Sequence, residues 1–259
     1  MSAADPDWIR PDWTVSRRVR ALITTRAGGV STGPWGVPPS GTGGMNLGWL
    51  TGDAADAVRD NRARLRAALP SEPRWLKQVH GPAVVRADVV DAPPEADASY
   101  TVTPGVVAAV MVADCMPVLL ADVDGRCVGV AHAGWRGVAS GVIQATVRAM
   151  RAALGERDAE LVAYLGPAIG ATHFEVGPEV LEAMAGALPR AAEAFRPRGD
   201  SDRYLADLVA LGRQALRDVG VTRVHGGTDC TYSTAERFYS YRRDRVTGRH
   251  AALVWIDPA

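Results

Sequence analysis

Three short stretches of this 259-residue chain end an apolar run at a small residue or proline and carry a metal-competent donor there. They are Gln78-Val79-His80-Gly81, Asp114-Cys115-Met116-Pro117 and His132-Ala133-Gly134-Trp135-Arg136-Gly137. Two imidazoles and a thiolate suit zinc. Three protein donors leave the fourth tetrahedral position free for water or substrate, and the ion keeps a net positive charge that acidifies bound water. The donors lie 35 and 17 residues apart with no tight pair among them, so spacing leaves other chemistry open. Cys115 with His80 or His132 as its base reads equally as a metal-free thiol hydrolase or amidase. Gly134 and Gly137 flank a helix start, where free N–H groups and Arg136 as a charged clamp would receive an anion such as phosphate. The same glycines would also serve simply to permit a tight turn. A metal-bearing domain used in assembly or regulation, without turnover, is a further class.

The elements that must position these residues follow from periodicity. The spacing predicts four helices. The first runs from Asp53 as N-cap through Ala54, Val58, Leu65 and Leu69 to Pro70. A second follows Gly137, with Val138, Val142, Ala145 and Ala149 on one side and Ile143, Val147, Met150 and Leu154 beside them. A third starts at Pro178, and a fourth runs from about Tyr204 to Val219, ending at Gly220. Strands are predicted at 84–89, 106–113, 117–121, 126–131, 160–165, 221–225 and 251–256, with Asp124-Gly125 turning a hairpin. Continuous apolar runs imply strands covered on both faces, hence a layered α/β fold with a mixed sheet, antiparallel at the hairpin, in one domain over 1–259. The Gly- and Pro-rich stretch 30–44 is a surface loop.

Composition narrows the partners. With 29 basic and 29 acidic residues the formal net charge is zero, which favours neither nucleic acid nor an anionic membrane and leaves a small-molecule substrate as the default. The opening MSAADPDWIRPDW has no basic stretch followed by an apolar one, no later run is long enough to span a bilayer, and the three cysteines make no disulfide framework. A cytoplasmic protein is expected. Cys127 reads as a core residue, while His173, His225 and His250 read as structural.

The chain resembles the laccase-domain (YfiH-like) family over nearly its whole length. The matching pieces include Thr24 to Ser31, Met45-Asn46-Leu47-Gly48, Lys77 to Gly81, Ala113 to Leu120 and His132 to Gly137. Gly166 to Gly170, Phe174 to Gly177, Cys230-Thr231, Ser240 to Asp244 and Thr247-Gly248-Arg249 follow in order. The resemblance implies an αββα-type layered fold and a metal site on His80, Cys115 and His132. It also implies purine nucleoside phosphorylase activity on adenosine, inosine and methylthioadenosine, with deamination of adenosine, in a family first described as polyphenol oxidases. Five histidines are too few for a multicopper cluster, which favours zinc and the purine activity over a copper-dependent oxidase. In that setting the expected partners are purine nucleosides and phosphate. Asp114 is the expected proton shuttle for deamination, and Gly134 to Gly137 with Arg136 the expected phosphate cradle. Asn46 and Arg26 are expected substrate contacts, and Tyr241, Arg242 and Arg243 would close the site from the C-terminal side.

Overall fold

The computed structural model describes residues 7–89, 92–157 and 159–258; of the N-terminal stretch, residues 1–6 lie outside it. In chain order the strands are β1 (Val19–Ile23), β2 (Ala27–Ser31), β3 (Val84–Arg86), β4 (Ala98–Thr101), β5 (Ala108–Val112), β6 (Met116–Asp122) and β7 (Val128–Ala133). They continue with β8 (Leu161–Leu165), β9 (Glu175–Val176), β10 (Phe195–Pro197), β11 (Tyr204–Ala206), β12 (Arg223–Gly226) and β13 (His250–Ile256). The helices are α1 (Ala55–Ala67), α2 (Trp135–Ala139), α3 (Val142–Leu154), α4 (Pro178–Ala187), α5 (Leu208–Asp218) and α6 (Tyr241–Asp244).

A six-stranded mixed sheet, β12-β8-β6-β7-β4-β3, faces a three-stranded antiparallel sheet, β1-β13-β5. Alternation along the buried strands sorts the core into layers. On β6, Val118 and Leu120 pack toward α3 and α5, whereas Leu119 and Ala121 pack toward Ala252 and Val254 of β13. The opposite face of β13, Ala251, Leu253 and Trp255, packs with Leu65 of α1. The order is therefore helix, sheet, sheet, helix, the αββα arrangement. It explains why β6 and β13 are buried at every position, since strands covered on both faces carry continuous apolar runs. Among the described residues, no helix is long and apolar enough to cross a membrane.

Five expectations are corrected in detail. Residues 87–89 form a 3-10 turn rather than the end of a strand. The first helix begins after Ala54; Asp53 instead accepts from Ser31 Oγ and Asn46 Nδ2 with one oxygen, so it joins loops and does not cap the helix. The second helix is two: α2 starts before Gly137, and Gly141, at φ 84°, separates it from α3. Residues 204–206 are strand β11, and α5 starts only after Asp207, whose Oδ1 accepts from the Ala210 amide at 2.8 Å. The expected loop 30–44 begins only after Ser31, the last residue of β2, and it is pinned: Arg26 donates to Pro34 O and Gly36 O, and Tyr239 Oη donates to Trp35 O at 2.6 Å.

Candidate metal centre

The hairpin register brings two of the donors together. Asp124-Gly125 turns β6 into β7 with Met116 opposite Ala133 and Pro117 opposite His132, so Cys115 and His132 meet at the far end of the ladder. Strand β4 lies antiparallel on the other side of β7, and the His132 amide donates to Asp97 O at 2.7 Å. Strand β3 runs parallel to β4 and brings the preceding turn, Val79-His80-Gly81, to the same end. Gln78 ties that turn to the smaller sheet through a reciprocal pair with Met111, both bonds 2.8 Å.

There the donor atoms of His80, Cys115 and His132 lie within 4.8 Å of one another, the only such group of three among the described residues. Cys115 Sγ is 3.7 Å from His80 Nε2, and the two imidazole rings cross at 68° with centroids 4.7 Å apart. His132 is buried, Cys115 half-buried and His80 exposed, so the group opens on one side. Gly134 keeps the space clear: a Cβ there would sit 2.7 Å from Cys115 Sγ and 3.0 Å from His80 Cδ2. The donor set, its spacing and this clearance fit a metal ion.

The electrostatics are those of an ionised cluster. Burial alone would push the Cys115 thiol up, but the neighbouring His132 and His80 outweigh it and bring the thiol down to about 6. Burial likewise works against the His132 imidazolium, yet the Cys115 sulfur and the Asp97 carboxylate hold it up, to about 9. Asp97 itself is buried, and hydrogen bonds from His132, Gly81, Val79 and His80 overcome that burial and lower it to about 2.

The remaining expected site residues divide. Gly134 lies at the centre as the residue before α2. Arg136 is exposed on α2 and stacks on Trp135, its Cζ 4.3 Å from the ring. Asp114 adjoins Cys115, but both its oxygens are engaged: Oδ1 accepts from Thr231 Oγ1 and Oδ2 from the Arg242 amide, each at 2.6 Å. It anchors α6 rather than standing free to carry protons. Asn46 is fully buried; its Nδ2 donates to Thr51 Oγ1 and Asp53 and its Oδ1 accepts from the amides of Gly48 and Arg249. Arg26 is buried among Pro34 O, Gly36 O, Ala235 O and Asp244. Both side chains are engaged with partners inside the protein, as internal ties are. Arg243 is spent on the carbonyls of Thr231, Tyr232 and Phe238.

Two residues escaped sequence reasoning. Asp97, in Glu95-Ala96-Asp97-Ala98, had only one signal, an acid embedded in a run of small residues leading into a strand. Arg249 is the second. It is half-buried, burial lowers its pKa while the charges of Cys115, Asp114 and Tyr241 act in the opposite direction, and among the described residues its Nη1 donates to the carbonyls of Thr247 and Gly248. Cys230 accepts from the Gly170 amide at 3.2 Å and lies 3.9 Å from His173 Nδ1, apart from the three donors.

A family model described as multi-copper polyphenol oxidoreductase laccase matches residues 20–257. A Pseudomonas aeruginosa protein named a purine nucleoside phosphorylase is 48% identical over 250 residues, covering 96% of this chain and 98% of its own. The Escherichia coli purine nucleoside phosphorylase YfiH is 46% identical over 251 residues, with coverage of 96% and 98%. Among solved structures, a Neisseria meningitidis protein superposes with a TM-score of 0.88 at 45% identity, covering 97% of this chain and 100% of that one. YlmD from Geobacillus stearothermophilus gives a TM-score of 0.85 at 29% identity, with coverage of 100% and 98%.

Proposed function

We propose a function from the premise that this chain belongs to the multi-copper polyphenol oxidoreductase laccase family, whose model spans residues 20–257. It is a zinc-dependent purine nucleoside phosphorylase acting on adenosine, inosine and methylthioadenosine, with adenosine deaminase activity, and it works in the cytoplasm as a single domain. The observation that carries the reading is the gathering of His80, Cys115 and His132 within 4.8 Å, in a chain whose relatives at 46–48% identity are named purine nucleoside phosphorylases.

Held by these three residues, zinc would supply Lewis acidity and an acidified water. The chain's own part is positioning. Asp97 keeps a proton on His132 Nδ1, Gly134 leaves the centre open, and Asp114 holds the amide end of α6 against the Cys115 loop. Arg249, whose side chain has backbone carbonyls and no carboxylate as hydrogen-bond partners among the described residues, is the cation suited to hold phosphate; Arg136 lies exposed on α2. A multicopper centre would need further histidines, but His250 is bonded to Tyr239 O and His173 sits with Thr172.

A second reading has one observation in its favour. The acidified Cys115 between two imidazoles would equally serve as a nucleophile with a histidine base in a cysteine hydrolase. Metal content of protein purified without added metal, measured beside adenosine turnover with and without phosphate, separates the two in wild type and Cys115→Ser. The expected result is about one zinc per chain, phosphate-dependent release of free base, and loss of both in the variant. Turnover by metal-free protein, with Cys115 alkylation indifferent to chelator, would instead establish the nucleophile.

A further inference from the structure

We infer that Asp97 is a positioning residue that assembles both imidazole donors of the centre before a metal arrives. The inference rests on reading His80, Cys115 and His132 as a metal centre, and it concerns how two of those ligands are aimed.

Asp97 is fully buried, and among the described residues every hydrogen bond to its carboxylate comes from the ligand-bearing segments. Oδ1 accepts from His132 Nδ1 at 2.8 Å and from the His80 amide at 2.9 Å. Oδ2 accepts from the amides of Val79 at 3.0 Å and Gly81 at 2.8 Å. A buried carboxylate is costly unless its lone pairs are filled, and among the described residues no lysine or arginine is paired with this one; its ion-pair partner is His132 itself. The cost is met by groups that the centre needs in fixed places.

Each contact has a separate consequence. The bond to Nδ1 fixes which ring nitrogen of His132 carries the proton and leaves Nε2 as the nitrogen for a metal, the arrangement by which carboxylates orient zinc-bound imidazoles. The three amide bonds act on the backbone. His80 has φ 62°, a left-handed conformation uncommon for a residue with a Cβ, and these three bonds favour it. Three successive N–H groups converging on one anion form a nest, and here the anion is the protein's own. Asp97's backbone locks the carboxylate midway: its amide donates to Ala83 O on the His80 side, and its carbonyl accepts from the His132 amide on the other.

A carboxylate that only tied a loop to a sheet would lower stability when removed without changing metal affinity in the folded protein. The test is therefore zinc affinity, by competition with a chromophoric chelator, in wild type, Asp97→Asn and Asp97→Glu, each shown folded by circular dichroism in its metal-free state. Asparagine keeps the size but offers one acceptor oxygen, and its amide opposes the donors it meets. Expected is a loss of roughly 10- to 100-fold in zinc affinity for Asp97→Asn, with partial recovery in Asp97→Glu. Asp97→Asn affinity within a factor of about three of wild type, whatever its melting temperature, overturns Asp97's role. Wild type with no measurable zinc affinity overturns the metal reading itself, a result distinguishable from the first. Should the variants not fold, nitrogen-15 spectra of zinc-loaded wild type decide: the proton is expected on Nδ1 of His132, and a proton on Nε2 refutes the assignment.

Discussion

Asn46 shows how a polar side chain near a glycine-rich turn suits two roles, a substrate contact and an internal tie. Both ends of its amide are used inside the protein, with Thr51, Asp53 and Gly48 on one side of the loop and the Arg249 amide on the other. Removing it leaves buried donors and acceptors unpaired at several points. Asn46→Ala is expected to cost on the order of 3 kcal/mol in the metal-free protein, read from urea unfolding as a shift in midpoint at constant slope. A variant as stable as wild type but with a raised KM for nucleoside would return Asn46 to substrate binding. The same accounting explains which residues were legible. His80, Cys115 and His132 stand out as donors by residue type, but residue type and spacing fit a thiol hydrolase as well, and it is the family resemblance that singles out the metal reading. Asp97, Asn46 and Arg26 do not stand out, since an acid, an amide or a guanidinium looks alike in sequence whether it meets a ligand or a backbone amide or carbonyl. Only the strand register supplies the partner.

At the scale of the element, the junction of β7 and α2 joins support to chemistry. Gly134 has φ −68° and ψ 166°, a conformation open to any residue, so the backbone places no demand for glycine here. The demand comes from outside the junction, where an added Cβ would meet Cys115 Sγ at 2.7 Å. Gly134→Ala is thus expected to fold with metal-free stability within about 1 kcal/mol of wild type, while zinc affinity falls at least about tenfold. Thermal unfolding with chelator and metal competition without it give the two numbers, and unchanged affinity would mean that the centre has room to spare. Elements were readable where a local signal fixes them: the Asp124-Gly125 turn set the β6–β7 hairpin that delivers Cys115 to His132. They were misread where apolar spacing suits two structures. Tyr204 and Leu205 continue the stripe of α5, but Tyr204–Ala206 pairs with β10, and the break lies at the Asp207 cap.

For the whole molecule, the consequential fact is that the strand carrying the inter-sheet core begins with a histidine. Layering was readable from the apolar runs, but the strand order was not, and with it went the surroundings of His250 on β13. The ring is wholly buried, stacked on Tyr239 with centroids 5.2 Å apart and edge-on to Phe238. Nε2 donates to Tyr239 O at 3.1 Å, and among the described residues Nδ1 has no hydrogen-bond partner to hold a second proton. Burial, followed by the nearby charges of Arg249, Arg26 and Arg243, outweighs the bond to Tyr239 O and depresses the imidazole from 6.5 to about 3. The unfolded chain therefore takes up a proton below pH 6.5 that the native protein refuses until about pH 3. Stability is insensitive to this group above pH 6.5 and falls as the pH drops below it, by about 1.4 kcal/mol per pH unit over that window. Urea unfolding of metal-free protein between about pH 6 and 4, in wild type and His250→Gln, isolates the contribution, because only the difference in slope with pH is read. The variant is expected to lose stability less steeply, by about one proton's worth; equal slopes would show that His250 charges within the native fold.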